Sequence, residues 1–230
     1  MNYLTDGLLM ALKIIVSCDK QFFEIVFVSI KVSFISTLLA SSVGIPLGIF
    51  LAQKKFPGRG IILTIINSLM SLPTVAVGLM LYAFLSRQGP LGHFGLLYTL
   101  SAMVIGQFIL ILPITTGLTI SAVKTLDRRV AQTIIALGAN SRQRFRMFIH
   151  EAQPGILAAI IAGFSRVFAE VGVSMMLGGN IKGYTRNITT AIALETSKGE
   201  FALGIALGIV LLTVAFAINV FLTTLHKQTT

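Results

Sequence analysis

Arg166 and Glu170 stand four residues apart inside the apolar run Ile156–Leu177. That spacing puts both on one face of a helix, close enough to pair. Alone, each charge costs about 2.5–3.5 kcal/mol at the centre of a bilayer on insertion scales, and pairing offsets part of this. The pair is either an internal strut that fixes helix packing or a charge at a gate or on a path for a polar solute; both uses turn it toward the protein interior. Prolines mark a second set of candidates. Pro73 sits in Ser71-Leu-Pro-Thr-Val75, beside Thr74 and five residues before Gly78, and Pro113 precedes Thr115 and Thr116. Pro46 lies within Gly44-Ile-Pro-Leu-Gly48. Proline lacks an amide donor and frees a carbonyl upstream. In lipid, neighbouring helices, hydroxyls or water must satisfy that group, so such breaks serve either packing or a translocation path.

Other chemistry is sparse. No G-x-x-x-x-G-K-[ST] loop is present. Gly178-Gly-Asn-Ile-Lys-Gly-Tyr-Thr185 lacks the lysine–hydroxyl ending, and it reads as a mobile connection or a docking loop. His93, His150 and His226 are scattered without metal-binding spacing, and a lone Cys18 excludes an internal disulfide. No catalytic, cofactor or metal site is expected, so the chain is not read as an enzyme.

The elements that position these residues follow from hydropathy. The chain is 55% hydrophobic and 11% charged, less than half the charge of a soluble domain, where about 25% is usual. Its mean hydropathy is +0.89. One soluble core of this size could not hide so much apolar surface. The expected architecture is all-α and polytopic, a single transmembrane domain over residues 1–230. Five apolar runs are long enough to span: Phe22–Leu51, Ile61–Leu85, Leu96–Ala122, Ile156–Leu177 and Phe201–Leu225. Residues 1–20 place Leu4, Leu8, Ala11, Leu12 and Ile15 at helical spacing, which predicts an interfacial helix. A cleaved signal is the rival there, but a positive leading region is missing. GxxxG spacing at Gly44/Gly48 and Gly204/Gly208 permits close helix approach.

With the amino terminus outside, Lys54, Lys55, Arg59, Lys124, Arg128, Arg129, Arg142, Arg144, Arg146 and Lys227 fall inside. Lys13, Lys20, Arg87, Lys182, Arg186 and Lys198 fall outside. Ten against six supports this orientation, with the carboxyl terminus cytoplasmic. The same bias accounts for the net charge of +10 without invoking nucleic acid.

Residues 123–155 form the longest polar segment. Gly138-Ala-Asn140 interrupts a helical pattern, and Asn140 or Ser141 can cap a second short helix. On that helix Phe145, Phe148 and Ile149 share one face, while Arg142 and Arg146 share another. Pro154 marks the turn into the next span. An amphipathic helix of this kind docks into a partner's groove or rests on anionic lipid.

The segment resembles the cytoplasmic EAA loop of bacterial ABC importer permeases. Ala136-Leu-Gly-Ala139, the arginine-rich helix after it and Gln153-Pro-Gly-Ile156 carry the likeness, while Gln132 stands where the family's leading acid falls. Leu72-Pro-Thr-Val75 with Gly78 resembles the permeases of the molybdate/sulfate/tungstate group. So does Phe164–Glu195, with Arg166, Glu170-Val-Gly172, Gly179-Asn-Ile181 and Thr185-Arg-Asn187. The wording is nearest the tungstate branch, over about residues 22 to 225. The resemblance implies an ABC importer subunit in a bacterial or archaeal inner membrane, passing a tetrahedral oxyanion by alternating access. Tungstate comes before molybdate or sulfate. Implied partners are a second permease copy, ABC ATPase subunits holding ATP and magnesium, and a periplasmic or lipid-tethered oxyanion-binding protein. Leu137, Gly138, Ala139, Arg142, Phe145, Phe148 and Ile149 would couple to the ATPase. Pro73, Thr74, Gly78, Arg166 and Glu170 would line the path or its gate. The rivals are a gradient-driven secondary transporter, which usually needs more spans and an inverted repeat, and a membrane enzyme, which needs convergent titratable groups in the spans.

Overall fold

The computed structural model describes residues 3–16, 20–126, 138 and 140–228, and among these every regular element is helical. Helix α1 spans Tyr3–Val16 and α2 spans Lys20–Gln53. At 1.5 Å per residue α2 is about 51 Å long, well beyond a hydrocarbon core of about 30 Å. It buries small and hydroxyl residues, among them Ser29, Ser33, Ser36, Ala40, Gly44 and Gly48, and exposes Phe27, Phe34 and Leu38. That is the inverse of a soluble helix. Without a hydrophobic drive between helices in lipid, small residues that let backbones approach take the interface.

Helix α5, Leu100–Lys124, forms the most extensive helix pair with α2. A Cβ on Gly44 would fall on the Thr115 hydroxyl, and one on Gly48 would lie 2.7 Å from Thr119 Cβ and 2.9 Å from the Thr116 carbonyl. Both prolines stay inside their helices. Around Pro113, Thr115 and Thr116 return their hydroxyls to the carbonyls of Ile111 and Leu112. The second GxxxG pair is half engaged: a Cβ on Gly204 would lie 2.9 Å from Thr196 Oγ1, whereas one on Gly208 would meet nothing within 4 Å.

The remaining elements are α3 (Arg59–Leu69), α4 (Thr74–Leu85), a 3-10 turn (Gly92–Phe94), α6 (Ser141–Glu151), α7 (Gln153–Phe168), α8 (Gly172–Gly178), α9 (Ile188–Ser197) and α10 (Phe201–Gln228). Apolar clusters fix the two ends of the bundle. Ile49, Val123, Phe148, Ala152 and Ile156 close one end, joined by Leu51, Ile66 and Ile120. Leu85, Ala102 and Leu177, with Phe22, Ala191 and Leu207, gather toward the other. The chain therefore runs end to end five times, through α2, α3/α4, α5, α7/α8 and α10.

Three crossings are continuous apolar helices, whereas α3 and α4 meet at 100°. The second span, Ile61–Leu85, in which Pro73 marked a break, is thus two helices around Met70–Pro73. Pro73 has an extended ψ of 118° and stands immediately before α4. The expected fourth span, Ile156–Leu177, is also interrupted: α7 ends at Phe168 and α8 begins at Gly172. The stretch expected to be a mobile connection is folded. Its Thr185 hydroxyl donates to the Gly178 carbonyl, and Asn187 caps α9. Helix α1 lies along α10, with Gly7 against Ile205 and Ala11 buried, while Leu8 and Leu12 remain exposed. The packing face of α1 thus carries Gly7 and Ala11, not Leu8 or Leu12.

Replacing Gly48 with valine should separate α2 from α5 and cost about 1–3 kcal/mol by overpacking. Gly208→Ala, which meets open space, should leave detergent-solubilised melting unchanged. Equal thermal shifts for the two variants would contradict the proposed seam.

Candidate translocation path and coupling segment

The interruption of the fourth crossing centres on Glu170. Helix α7 stops two residues before it, and the first amides of α8 need acceptors. Glu170 Oε1 accepts from the Val173 amide at 3.3 Å. Its Oε2 accepts from Arg166 Nη1 at 3.0 Å. The Glu170 carbonyl accepts from the Thr189 hydroxyl at 2.8 Å, and Asn187 Oδ1 lies 2.9 Å from that hydroxyl. The Ile188 amide donates to Ser29 Oγ at 2.9 Å, tying α9 to α2. One carboxylate and the helix cap behind it therefore hold α7, α8, α9 and α2 in register.

The pair is asymmetric. Glu170 is buried, 3% exposed, whereas the Arg166 side chain is 44% exposed. The expectation that both face the protein interior holds for Glu170 alone. Arg166 sits beside Val167, which packs on Ala40 and Ile111 near the midpoints of α2 and α5. Its open side is thus at mid-depth.

Thr74 and Gly78 converge on the same place. A Cβ on Gly172 would lie 3.0 Å from Val75 Cγ2, 3.1 Å from Thr74 Oγ1 and 3.2 Å from Glu170 Oε1. A Cβ on Gly78 would lie 3.3 Å from Met176 and from Val173 Cα. A side chain at either glycine would crowd the contact, so the pair lets α4 lie close against α8. Pro73 marks the bend that turns α4 onto this contact. Four of the five sequence-derived path candidates, Thr74, Gly78, Arg166 and Glu170, thus meet around one crossing point, and Pro73 adjoins it.

Sequence reasoning missed the polar residues that satisfy this point. Ser36 donates to Gln107 Oε1 at 3.4 Å, and Gln107 Nε2 donates to Ser174 Oγ at 3.3 Å, linking α2, α5 and α8. The Asn187/Thr190 capping box was visible as Asn-x-x-Thr before an apolar run. Its long-range partner Ser29 carries no local signal. Among the described residues, no group of three or more His, Cys, Asp or Glu could hold a metal.

At the end closed by Phe148, α6 begins with a capping box. Asn140 Oδ1 accepts from the Gln143 amide at 2.9 Å, and Gln143 Oε1 accepts from the Asn140 amide at 2.8 Å. Gly138 has φ 70°, a left-handed value that favours glycine. Helices α6 and α7 meet at 72° over Ala152 and Pro154. The three apolar candidates separate here. Phe148 is buried against Ile49, Val123 and Ile156, Phe145 is half-buried beside it, and Ile149 is exposed. Arg142, Arg146 and Met147 are also exposed. Leu137 and Ala139 lie outside the described residues, as do Arg128 and Arg129.

Residues 44–229 match the family described as binding-protein-dependent transport system inner membrane component. The tungstate uptake system permease protein TupB of Peptoclostridium acidaminophilum is 41% identical over 228 residues, covering 99% of this chain and 100% of that one. The TupB of Campylobacter jejuni is 41% identical over 229 residues, covering 100% and 95%. The molybdenum transport system permease protein ModB of Escherichia coli is more distant, at 27% over 187 residues, covering 77% and 82%. Among solved structures, an inward-facing MetNI methionine ABC transporter superposes with a TM-score of 0.76 at 18% identity, covering 91% of this chain and 96% of that one. A bacterial alginate ABC transporter, in complex with a periplasmic protein bound to an alginate pentasaccharide, gives 0.78 at 18%, covering 96% and 86%. These two likenesses concern the fold.

The Arg166–Glu170 geometry sets an order of effects. Arg166→Ala leaves a buried carboxylate unpaired, so it should lower detergent stability by about 1–3 kcal/mol. Adding Glu170→Gln should recover part of that loss, because the neutral amide still offers an acceptor to Val173. A double variant less stable than Arg166→Ala, read by thermal unfolding on size exclusion, would reject the assigned pairing.

Proposed function

From the premise that the chain belongs to the binding-protein-dependent transport system inner membrane component family, we propose that it is the permease subunit of an ATP-binding-cassette importer for tungstate. The chain is a multi-pass inner-membrane protein. The substrate reading rests on end-to-end identity of 41% with two tungstate uptake permeases, against 27% over a shorter span for a molybdenum permease. Molybdate and sulfate are the alternatives, being tetrahedral oxyanions of the same charge.

The exposed side of Arg166 is the structural observation behind the mechanism. A guanidinium 44% exposed at mid-depth is costly against lipid. A second permease copy facing it would enclose a polar path between the two chains. Thr74, Gly78, Arg166 and Glu170, with Pro73 at the bend, then lie beside that path. Arg166 supplies a cation toward the passing anion, and Glu170 keeps it from trapping one.

ATP and magnesium belong to the partner ATPase subunits, and this chain supplies the surface they move. Helix α6 has the required two faces. Phe148 locks it to α2, α5 and α7, and Arg142, Arg146, Met147 and Ile149 are left for a groove on the ATPase. Gly138, at a left-handed φ, precedes α6, and Leu137 and Ala139 flank that glycine in the sequence. Closure of the ATPase dimer would carry α6 with it and swing α7 and the broken fourth crossing as one body, opening one side of the path as the other closes. The α6 end carries Lys54, Lys55, Arg59, Lys124, Arg142, Arg144 and Arg146, which supports placing it in the cytoplasm. An oxyanion-binding protein then docks at the opposite end.

Proteoliposomes holding the permease, its ATPase and the binding protein should accumulate tungsten only with ATP and magnesium, measured by mass spectrometry of the lumen. Accumulation driven by an ion gradient without the ATPase would sink the importer reading. In the same system Gly138→Val, strained at φ 70°, should leave ATP hydrolysis intact and cut uptake at least tenfold. Coupled uptake at the normal ratio would remove the coupling role from this turn.

A further inference from the structure

Two adjoining cavities of about 580 Å³ each lie at the end of the bundle opposite α6, and both are lined by Tyr82 and Tyr98. Ser86 and Arg87 line the first, and Met176 and Asn180 the second. Arg87, the Tyr82 hydroxyl and the Asn180 amide nitrogen can donate into these walls, while the Ser86 hydroxyl donates to the Ala83 carbonyl and that of Tyr98 to Tyr82, and no carboxylate lines either cavity. Arg87 has no acidic partner among the described residues. That inventory suits a ligand made of acceptor oxygens and negative charge, and it repels nothing of that kind.

The backbone is strained at the same walls. Tyr98, at φ 63°, and Asn180, at φ 51°, are the non-glycine residues with left-handed φ among those described. Asparagine tolerates that region, but for a bulky aromatic residue it is an outlier that neighbours must enforce. They do so here. The Tyr98 amide donates to the Leu177 carbonyl at 2.8 Å. Its ring fills the space beside Gly179, where a Cβ would lie 2.6 Å from Tyr98 Cδ1. The start of α5 does not need this strain, because Thr99 already caps it by accepting from the Ala102 amide. The strain instead aims the Tyr98 phenol at the cavity, with its hydroxyl 3.3 Å from that of Tyr82. Tyr98 lies in the loop before α5, and its pKa is raised by the hydrogen bond with Tyr82 first and by burial second, so it stays neutral and donates to Tyr82, leaving the Tyr82 proton to face the cavity.

Tyr82 also continues the stripe of the path. Thr74, Gly78 and Tyr82 recur every four residues on the side of α4 that meets α8, over about 12 Å. We propose that Tyr82, Tyr98, Arg87 and Asn180 form a receiving site for a tetrahedral oxyanion at the outer mouth, above the closed Gly78–Met176 contact and the Arg166–Glu170 point. This rests on the importer reading. Neutral phenol donors with a single guanidinium hold a dianion loosely enough to pass it on, as conduction through successive sites requires.

The test uses the assembled permease–ATPase complex in nanodiscs, with 3-fluorotyrosine placed at position 98 and read by fluorine NMR. Tungstate, molybdate and sulfate are each titrated at constant ionic strength against chloride. The transported anion should shift the resonance saturably. Arg87→Gln should weaken that saturation roughly tenfold, as loss of a charge-assisted hydrogen bond does. Tyr82→Phe should weaken it less. Both are conservative changes at a partly open wall, and assembly with the ATPase serves as the folding control. Absence of a shift from the anion that the wild-type complex transports overturns the site and leaves the importer reading standing. A shift that survives Arg87→Gln at full affinity overturns it as well. A complex that transports none of the three anions overturns the importer reading first, and this site with it.

Discussion

The carboxylate of Glu170 takes one proton donor from Arg166 and another from the Val173 amide, in a stretch that lipid would otherwise surround. An interrupted helix inside a bilayer exposes amides and carbonyls that have no water to turn to. Here those groups are met by a side chain from the break itself and by a hydroxyl from Thr189, nineteen residues on. The contact between α4 and α8 adjoins the same place, because Gly172 lies against Thr74, Val75 and the Glu170 carboxylate, and Gly78 against Val173 and Met176. The bend at Pro73 then follows, since α4 must reach that contact from the far end of α3. One satisfied interruption thus sets the course of two of the five crossings.

Much of this was legible in the residue order, and the parts that were not share a cause. Hydropathy located the three continuous helices long enough to cross and the apolar runs of the two broken ones, and the Gly44/Gly48 spacing identified a true helix seam. The same spacing at Gly204/Gly208 held for one glycine alone, Gly204 against Thr196, because whether a glycine faces a neighbour depends on which side of the helix that neighbour occupies. The interruptions at 70–73 and 169–171 were invisible to hydropathy, since the residues on both sides of each are apolar. Arg166 and Glu170 were recognisable as a pair from their spacing. Their unequal burial was not, because it is decided by α2, α8 and α9. Asn187 announced its cap through Thr190, but Ser29 lies 159 positions from the amide it serves.

The amphipathic pattern of α6 shows the limit most plainly. Phe145, Phe148 and Ile149 form an apolar face by period alone, and a face of that kind asks to be covered without saying by what. The chain covers most of it itself. Ile49 and Val123 come from helices already packed together at Gly48, so Phe148 is set into the most extensive seam of the bundle. A force applied to α6 therefore reaches α2, α5 and α7 together.

That arrangement divides labour within eleven residues. Phe148 is committed to the fold, and the outward row of Arg142, Arg146, Met147 and Ile149 takes almost no part in it. The row is free to drift in sequence without endangering the protein that bears it. If this row is what an ATPase grips, exchange of one such motor for another would demand few substitutions, most of them on the skin of a single short helix.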